Sequence, residues 1–498
     1  MKNKKFYITA AIPYVNAAPH IGHALEFVQA DTLARYHKLL GEKVLLLSGG
    51  DENALKNVQA AEKSGEEVQE FVDKNTEKFL DLTKKLNCQF DIWQKGSDKK
   101  THFPSSQKLW ALCDKNGDIY KKKYTGLYCV GCEIFYTKDE LNEKGECYEH
   151  PGKKLEEVSE ENYFFKLSKY ENELVDLIES DKLKISPNER KNEILSFLKN
   201  GLEDISISRS NERAKNWGVP VPNDNTQRIY VWFDALNIYQ SGIGFGWDEE
   251  LYKKWWPAHL HIIGKGITRF HAVYWPAFLM SAKLDLPKEL FVHGYFTVDG
   301  QKMSKTLGNV IDPLEMIEKY GVDTLRYYLL AKFSPFNDGD FSEEKLKEVY
   351  NGDLANGLGN LVARVAKMCE NIDINITALS KTNAGIENIF SLWIPDPSLE
   401  ENYTNSIKNF RFDDALRLVW EKISDLDRRI NEVKPWEYKK GGRNPEEIKN
   451  FLADDAVLWI RDIANLLKPF LPETAEKIEK QFKGPKIKSA PPLFPRIT

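Results

Sequence analysis

KFYITAAIPYVNAAPHIGHALEFVQADTLARYHKLLGEKVLLL, residues 5–47, reads as strand, helix, strand. Lys5 to Ile12 is apolar and rich in strand-forming residues, and Pro13-Tyr14-Val15-Asn16 turns the chain. Gly22 to Leu40 carries apolar residues at Leu25, Val28, Leu33 and Tyr36, the spacing of an amphipathic helix that Gly41 then caps. Val44 to Leu47 is a continuous apolar run, as expected of a strand buried on both faces of a parallel sheet. Working outward from this βαβ unit, Ala54 to Leu86 is helical in pattern. After Asp118 short aromatic runs, Cys pairs and turn residues take over until about Asn225, which predicts an inserted module. Strand-like runs at Ile229–Phe233, Leu260–Ile263 and Leu290–Val292 are expected to complete the interrupted sheet. From Glu343 the pattern is helical, with a loop-like stretch around Asn371 to Pro397. The expected fold is thus α/β, a Rossmann-type parallel sheet split by a connective insertion and followed by an α-helical bundle. The expected divisions are residues 1–115, 116–225, 226–300, 301–350 and 351–498.

Composition limits what such a chain can be. With 42% hydrophobic and 29% charged residues in 498, and only 22 Pro and 30 Gly, disordered, collagen-like and disulfide-scaffold classes are excluded. The formal charge of -5 means that contact with nucleic acid would rely on local basic patches. No apolar run reaches the ~18 residues of a membrane helix, and the best candidate, Ala272 to Met280, contains Pro276. Lys2, Lys4 and Lys5 before Phe6 to Val15 imitate a secretory signal only faintly, because this run reads better as a buried strand. Six cysteines are too few for a secreted framework, so a reducing, cytoplasmic setting and no membrane association are expected.

Four constellations carry chemistry. Pro19-His20-Ile21-Gly22-His23 lies where the first strand turns into the first helix, and the unpaired N–H groups and positive helix end there favour anions. Gly22 lets a ligand approach the backbone, and His20 and His23 share a helix face from which they can donate to phosphate oxygens. Alone, this reads equally as two surface histidines. Lys302-Met303-Ser304-Lys305-Thr306 follows the Asp299-Gly300 turn and supplies mobile positive charges, although Lys-x-x-Lys alone is more often a solvated basic turn. Cys129-x2-Cys132 and Cys147-x2-His150 offer four ligands from two knuckles, the set that tetrahedral structural Zn²⁺ requires. Asn360 and Arg364 share a helix face suited to unstacked bases, while Trp436 beside Pro435 offers a stacking surface; each also has a plain structural reading.

The first two motifs, in this order on opposite halves of a split sheet, resemble the HIGH and KMSKS signatures of class I aminoacyl-tRNA synthetases. Flanking segments narrow the resemblance to the methionyl-tRNA synthetase family, in its bacterial form with a single zinc knuckle. They include Ala11-Ile12-Pro13-Tyr14, Tyr128-Cys129-Val130-Gly131-Cys132, Val231-Trp232-Phe233-Asp234-Ala235, Phe291-Val292-His293-Gly294-Tyr295 and Lys434-Pro435-Trp436. The resemblance covers essentially the whole chain. It implies activation of L-methionine with ATP to methionyl-adenylate and pyrophosphate, then transfer to the 3′ end of tRNA(Met). It further implies His20, His23, Lys302 and Lys305 as catalytic groups, with Gly22, Gly264 and Ser304 also at the ATP and Mg²⁺ bound with the pyrophosphate. Ala11, Ile12, Tyr14, Trp232, Ala235, Tyr239, Ile267 and His271 are implied around methionine, Asp51 on its ammonium and Arg209 in shaping the site. Asn360, Arg364 and Trp436 are implied to read the anticodon, and without an appended tRNA-binding barrel a monomer is expected.

Two departures stand out. Where the family usually has Asp-Glu-His-Gly, this chain has Asp51-Glu52-Asn53-Ala54, and where the family has an Asp that meets the ATP ribose, Gly266 stands five residues before His271. Two rivals follow, another class I synthetase and a degenerate RNA-binding paralogue. A segment of ~100 residues cannot hold the large editing insertion of the isoleucyl, valyl and leucyl enzymes, and the intact lysines and histidines weigh against loss of catalysis.

Overall fold

The computed structural model describes residues 4–129, 134–136, 140–148, 152–298, 300–303, 308–370, 397–440 and 444–497. The opening stretch folds as β1 (Lys5–Ala10), α1 (Ile21–Leu39) and β2 (Lys43–Gly50). β1 and β2 pair in parallel, with Phe6 opposite Val44 and Ile8 opposite Leu46. Gly41 takes φ +79 after the helix, the left-handed conformation that ends it cheaply. The full sheet has six parallel strands in the order Ile92–Lys95, β2, β1, Leu260–Gly264, Glu289–His293, Lys184–Ser186. Strand order reverses at β1, and in open α/β sheets the crevice beyond the carboxyl ends at such a switch point is where ligands bind.

Residues 119–165 build an antiparallel sheet on the long pair Ile119–Cys129 and Glu156–Phe165, edged by Ile134–Tyr136 and Ile205–Ser206. The strand Lys184–Ser186 returns from this region to the edge of the main sheet. The expected strand Ile229–Phe233 is a correction. Ile229 ends the strand Asp224–Ile229 of a separate three-stranded sheet, and Val231–Leu236 is a helix. A short apolar run buried on every side carries no periodicity that separates strand from helix.

From Glu343 to Gln481 the described residues are mostly helical, with the long helix Phe412–Val433 packed against Pro397–Lys408 and Leu458–Leu467. Arg326, fully buried on the helix Val322–Ala331, joins this bundle to the sheet layer. Its guanidinium pairs with Asp31 of α1 at 2.8 Å and donates to the carbonyls of Phe470 at 2.7 Å, Pro469 at 3.0 Å and Leu86 at 3.1 Å. A buried charge is tolerable only when so fully satisfied. No helix among the described residues is long and apolar enough to cross a membrane.

Candidate active site

At the switch point lies a cavity of about 490 Å³ whose walls include Ala11, Ile12, Tyr14, His20, Gly22, His23, Trp232, Gly264, Ile267 and Met303. α1 points its N-terminus at it, and its first turn holds no acidic side chain to neutralise the positive end. Both histidines fold back onto that end. The Gly22 N–H donates to His20 Nδ1 and the His20 N–H to His23 Nδ1, each at 3.1 Å. With Nδ1 accepting, the neutral His23 ring carries its proton on Nε2, from which it can be offered to an anion. Burial, then the neighbouring His20, pushes His23 well below the ordinary histidine range, so it acts as a neutral donor. A Cβ on Gly22 would stand 2.9 Å from His20 Cε1 and would displace that ring from the helix end.

The lysine-bearing segment reaches the same place. Lys302 lies in a short hairpin opposite Thr297, and Met303 lines the cavity. Downstream, the Ile311 carbonyl accepts from the Ile21 N–H at 3.1 Å, tying the returning chain to the first residue of α1. Ser304 and Lys305 lie outside the described residues.

Aromatic rings close the other side. Trp232 stacks on Phe270 at 3.5 Å and meets Tyr14 edge-on at 6.3 Å. Ala235 shares the Trp232 helix, and Tyr239 and His271 adjoin the cavity without forming its wall. His271 Nδ1–H donates to the Ile267 carbonyl at 3.0 Å, so its Nε2 accepts from the Tyr239 hydroxyl at 2.8 Å and the ring is neutral. Burial pushes this histidine down to about 4. Unfolded, it would titrate near ~6.5. Its contribution to stability is therefore complete above that value and is lost as pH falls toward the folded pKa. Chemical unfolding at pH 7 and pH 5 should show a loss on the order of 2 kcal/mol from this ring. The slope should flatten in His271→Asn; an unchanged slope would refute the assignment.

Asp51 is buried where β2 ends, its backbone bridged to Tyr14 and its N–H donating to the Pro13 carbonyl at 2.9 Å. The Asn53 departure finds a physical account. Asn53 Nδ2 donates to the Gly96 carbonyl at 2.7 Å and to Asp234 Oδ2 at 2.6 Å, while Asp234 Oδ1 accepts from His102 at 2.8 Å and Ser106 at 2.7 Å. The amide supplies a donor to Asp234, which holds the helix bearing Trp232. Ala54 needs no glycine freedom, with φ -64 at the start of the next helix. At the other departure, the Gly266 N–H donates to the Tyr295 hydroxyl at 2.7 Å.

Sequence reasoning passed over Phe270, Glu26 and the role of His293. Glu26 and His293, 2.9 Å apart, line the cavity together with Tyr295. A carboxylate on the buried face of α1, one turn beyond His23, was the available signal. Arg209 is not at this cavity; it lies in a neighbouring pocket with Tyr128 and Tyr230.

The remaining candidates do not line the cavity. Cys129 and Cys147 are buried with Sγ atoms 3.6 Å apart. That is far beyond the ~2 Å of a disulfide, and close to the ~3.8 Å at which two thiolates sit on one tetrahedral zinc. Cys132 and His150 lie outside the described residues. In the bundle, Arg364 pairs with Asp427, donates to Asn431 at 2.9 Å and lies 5.9 Å from the Trp436 ring, which is 47% exposed. Asn360 borders an adjacent open cavity of about 570 Å³ with Asp427 and Asn431.

Comparison with known proteins agrees with this arrangement. Residues 6–366 match the family described as tRNA synthetases class I (M). A methionine–tRNA ligase of Thermotoga maritima is 42% identical over 95% of this chain and 74% of its own, and one of Brucella suis is 39% identical over 100% and 98%. A solved structure of Mycobacterium tuberculosis methionyl-tRNA synthetase in complex with methionyl-adenylate superposes with a TM-score of 0.87, at 34% identity and full coverage of both chains. A Rossmann-type sheet with the first signature segment at its switch point and Met303 on the same cavity, matched in sequence and shape along its length, thus places this chain in the methionyl family of class I tRNA synthetases.

Proposed function

We propose that this chain joins methionine to the 3′ end of tRNA(Met), activating it first with ATP to methionyl-adenylate and pyrophosphate. The observation that carries this is the meeting, at one helix N-terminus, of two imidazoles with the chain on either side of the second lysine of the motif, opposite an aromatic wall. Sulfur packs favourably against such rings, and the neutral His271 beside them brings no charge to the site. A methionine carboxylate is already ionised and needs no general base. What the protein must do is hold it in line with the α-phosphate and stabilise the charge that develops. In this reading His20 and His23 donate from Nε2 to phosphate oxygens, Lys302 and Lys305 hold the departing pyrophosphate, and Asp51 takes the ammonium. Mg²⁺ bound with ATP would supply further neutralisation of the phosphates. Methionine-dependent ATP–pyrophosphate exchange tests the reading; a protein that binds tRNA yet exchanges nothing would sink it.

Cys129, Cys132, Cys147 and His150 would hold a structural zinc, a reading supported by the spacing of the two described thiols. Cys147→Ser should release the metal and lower the unfolding midpoint. Less than about half an equivalent of zinc in carefully prepared wild type would count against the site. The helical bundle would carry anticodon reading through Asn360, Arg364 and Trp436. Gly266 leaves the ribose without the family's carboxylate, so 2′- and 3′-deoxy-ATP should be used almost as well as ATP. Gly266→Asp should tighten ATP about tenfold, a charge-assisted hydrogen bond being worth roughly 1.5–3 kcal/mol. Strong discrimination against the deoxy analogues by the wild type would show that another group holds the ribose.

A further inference from the structure

One stretch of chain, residues 264–274, supplies Gly264 and Ile267 to the cavity wall and ends in a π-helical turn, Phe270–Tyr274. In that turn Phe270 lies flat on Trp232 at 3.5 Å and meets Tyr274 edge-on at 5.4 Å. Turns of this kind are rare and recur at functional sites. Immediately before it stands Arg269, whose contacts are with neither the sheet nor the cavity. Its Nη1 donates to Glu140 Oε1 at 3.1 Å, and its guanidinium covers the Phe197 ring at 4.2 Å. Glu140 lies between the two predicted ligand pairs of the knuckle, upstream of Cys147, and Phe197 is on the helix Asn188–Lys199. Both partners therefore come from the inserted region, while Phe270 and His271 follow Arg269 in the second half of the sheet domain. The other end of the stretch is fixed as well, by Lys265 paired with Asp338 at 2.7 Å.

The plain reading of Arg269 with Glu140 is a surface ion pair. Their side chains are 30% and 29% exposed, and pairs in such settings add little stability. What this pair does add is orientation. A planar guanidinium held by a carboxylate on one side and an aromatic face on the other has little freedom. The backbone at the head of the π turn cannot shift without breaking both contacts, and Phe270 is the next residue. We infer that Arg269 is a positioning residue for methionine: paired with Glu140, it lets the docked knuckle segment hold the π turn and, through Phe270, the Trp232 face on which the methionine side chain packs. Neither Arg269 nor Glu140 lines the cavity, so both act through Phe270 and Trp232. The inference rests on the function proposed above.

The test uses Arg269→Gln, Glu140→Gln and the double variant in the full chain, with Arg269→Lys as the conservative control. Calorimetry gives the Kd of methionine and of ATP, and pyrophosphate exchange gives kcat and the KM for methionine; zinc content and the unfolding midpoint are measured alongside. Each Gln variant should raise the Kd and KM for methionine about fivefold, with ATP affinity and kcat at saturating methionine within about twofold of wild type. The double variant should be no worse than either single one, because both changes remove the same pair. Arg269→Lys should recover part of the methionine affinity. Salt should weaken methionine binding more steeply in the wild type than in Arg269→Gln, since only the wild type has the pair to screen. Zinc content and the midpoint should match wild type. Unchanged methionine affinity in the Gln variants would overturn the proposal, as would additive losses in the double variant. A parallel fall in methionine affinity, ATP affinity and the midpoint would overturn it too, by marking general damage to the fold. A wild-type protein that neither binds methionine nor catalyses exchange would instead remove the proposed function, and this inference with it.

Discussion

Replacing His23 or Lys305 with alanine is expected to slow adenylate formation by about 10²- to 10³-fold, the usual loss when one preorganised donor to a charged transition state is removed. ATP affinity in the ground state should change far less. The geometry of α1 supports the expectation for His23: its Nδ1 is committed to the His20 N–H, leaving Nε2 as the donor, and Phe79 meets its ring edge-on at 5.0 Å. The ring can neither turn nor exchange its nitrogens without losing a helix cap. His23→Gln, which can place an amide near Nε2, should therefore outperform His23→Asn, whose shorter amide can replace only the capping contact. Pre-steady-state adenylate formation at several ATP concentrations separates rate from affinity. A variant altered only in affinity would make the residue a uniform binding contact.

What could be read from the sequence follows from where physical constraint is local. β1, α1 and β2 announce themselves because a strand, a helix and their caps leave periodicity and a glycine at fixed offsets. Ile12, Tyr14, Trp232 and Ile267, distant in the chain, were grouped by the family resemblance, and the structure sets them around one cavity. Periodicity alone would have read them as core. Other features depend on tertiary register. That Ile229 ends a strand and Val231 starts a helix is decided by burial on all sides, which leaves no pattern. The stack of Phe270 on Trp232 requires a π-helical turn, Phe270–Tyr274, that no composition rule signals. Arg209 faces Arg228 only because antiparallel pairing of Ser208–Ser210 with Asp224–Ile229 puts residues nineteen apart in register. Asn53 looks like a loss in the linear motif, yet its amide is bonded to Asp234, 181 residues away.

Trp436→Ala and Arg364→Ala should cut aminoacylation severely while pyrophosphate exchange stays within about twofold of wild type. The two reactions differ in the need for tRNA, and both residues lie in the helical bundle, where neither lines the cavity at the end of β1. Trp436 stands at the start of the turn Pro435–Lys440, just after Lys434 closes the long helix in a left-handed conformation, φ 48. Its ring is one of three large hydrophobic side chains exposed among the described residues. A plain structural tryptophan would be buried, whereas this ring is exposed, and loss of a base stacked on it is expected to cost ~1–3 kcal/mol, about 5- to 150-fold in kcat/KM for charging. Arg364 is held differently. Asp427 neutralises it and Asn431 accepts from its other Nη, so the guanidinium is oriented over Trp436 before any RNA arrives. RNA must compete with or join that arrangement. Arg364→Ala also leaves Asp427 without its cation, so its unfolding midpoint has to be measured alongside, whereas Trp436→Ala removes an exposed ring and should leave the midpoint nearly unchanged. If Trp436→Ala lost exchange and charging in parallel, or charged tRNA(Met) normally, the ring would have no part in reading the anticodon.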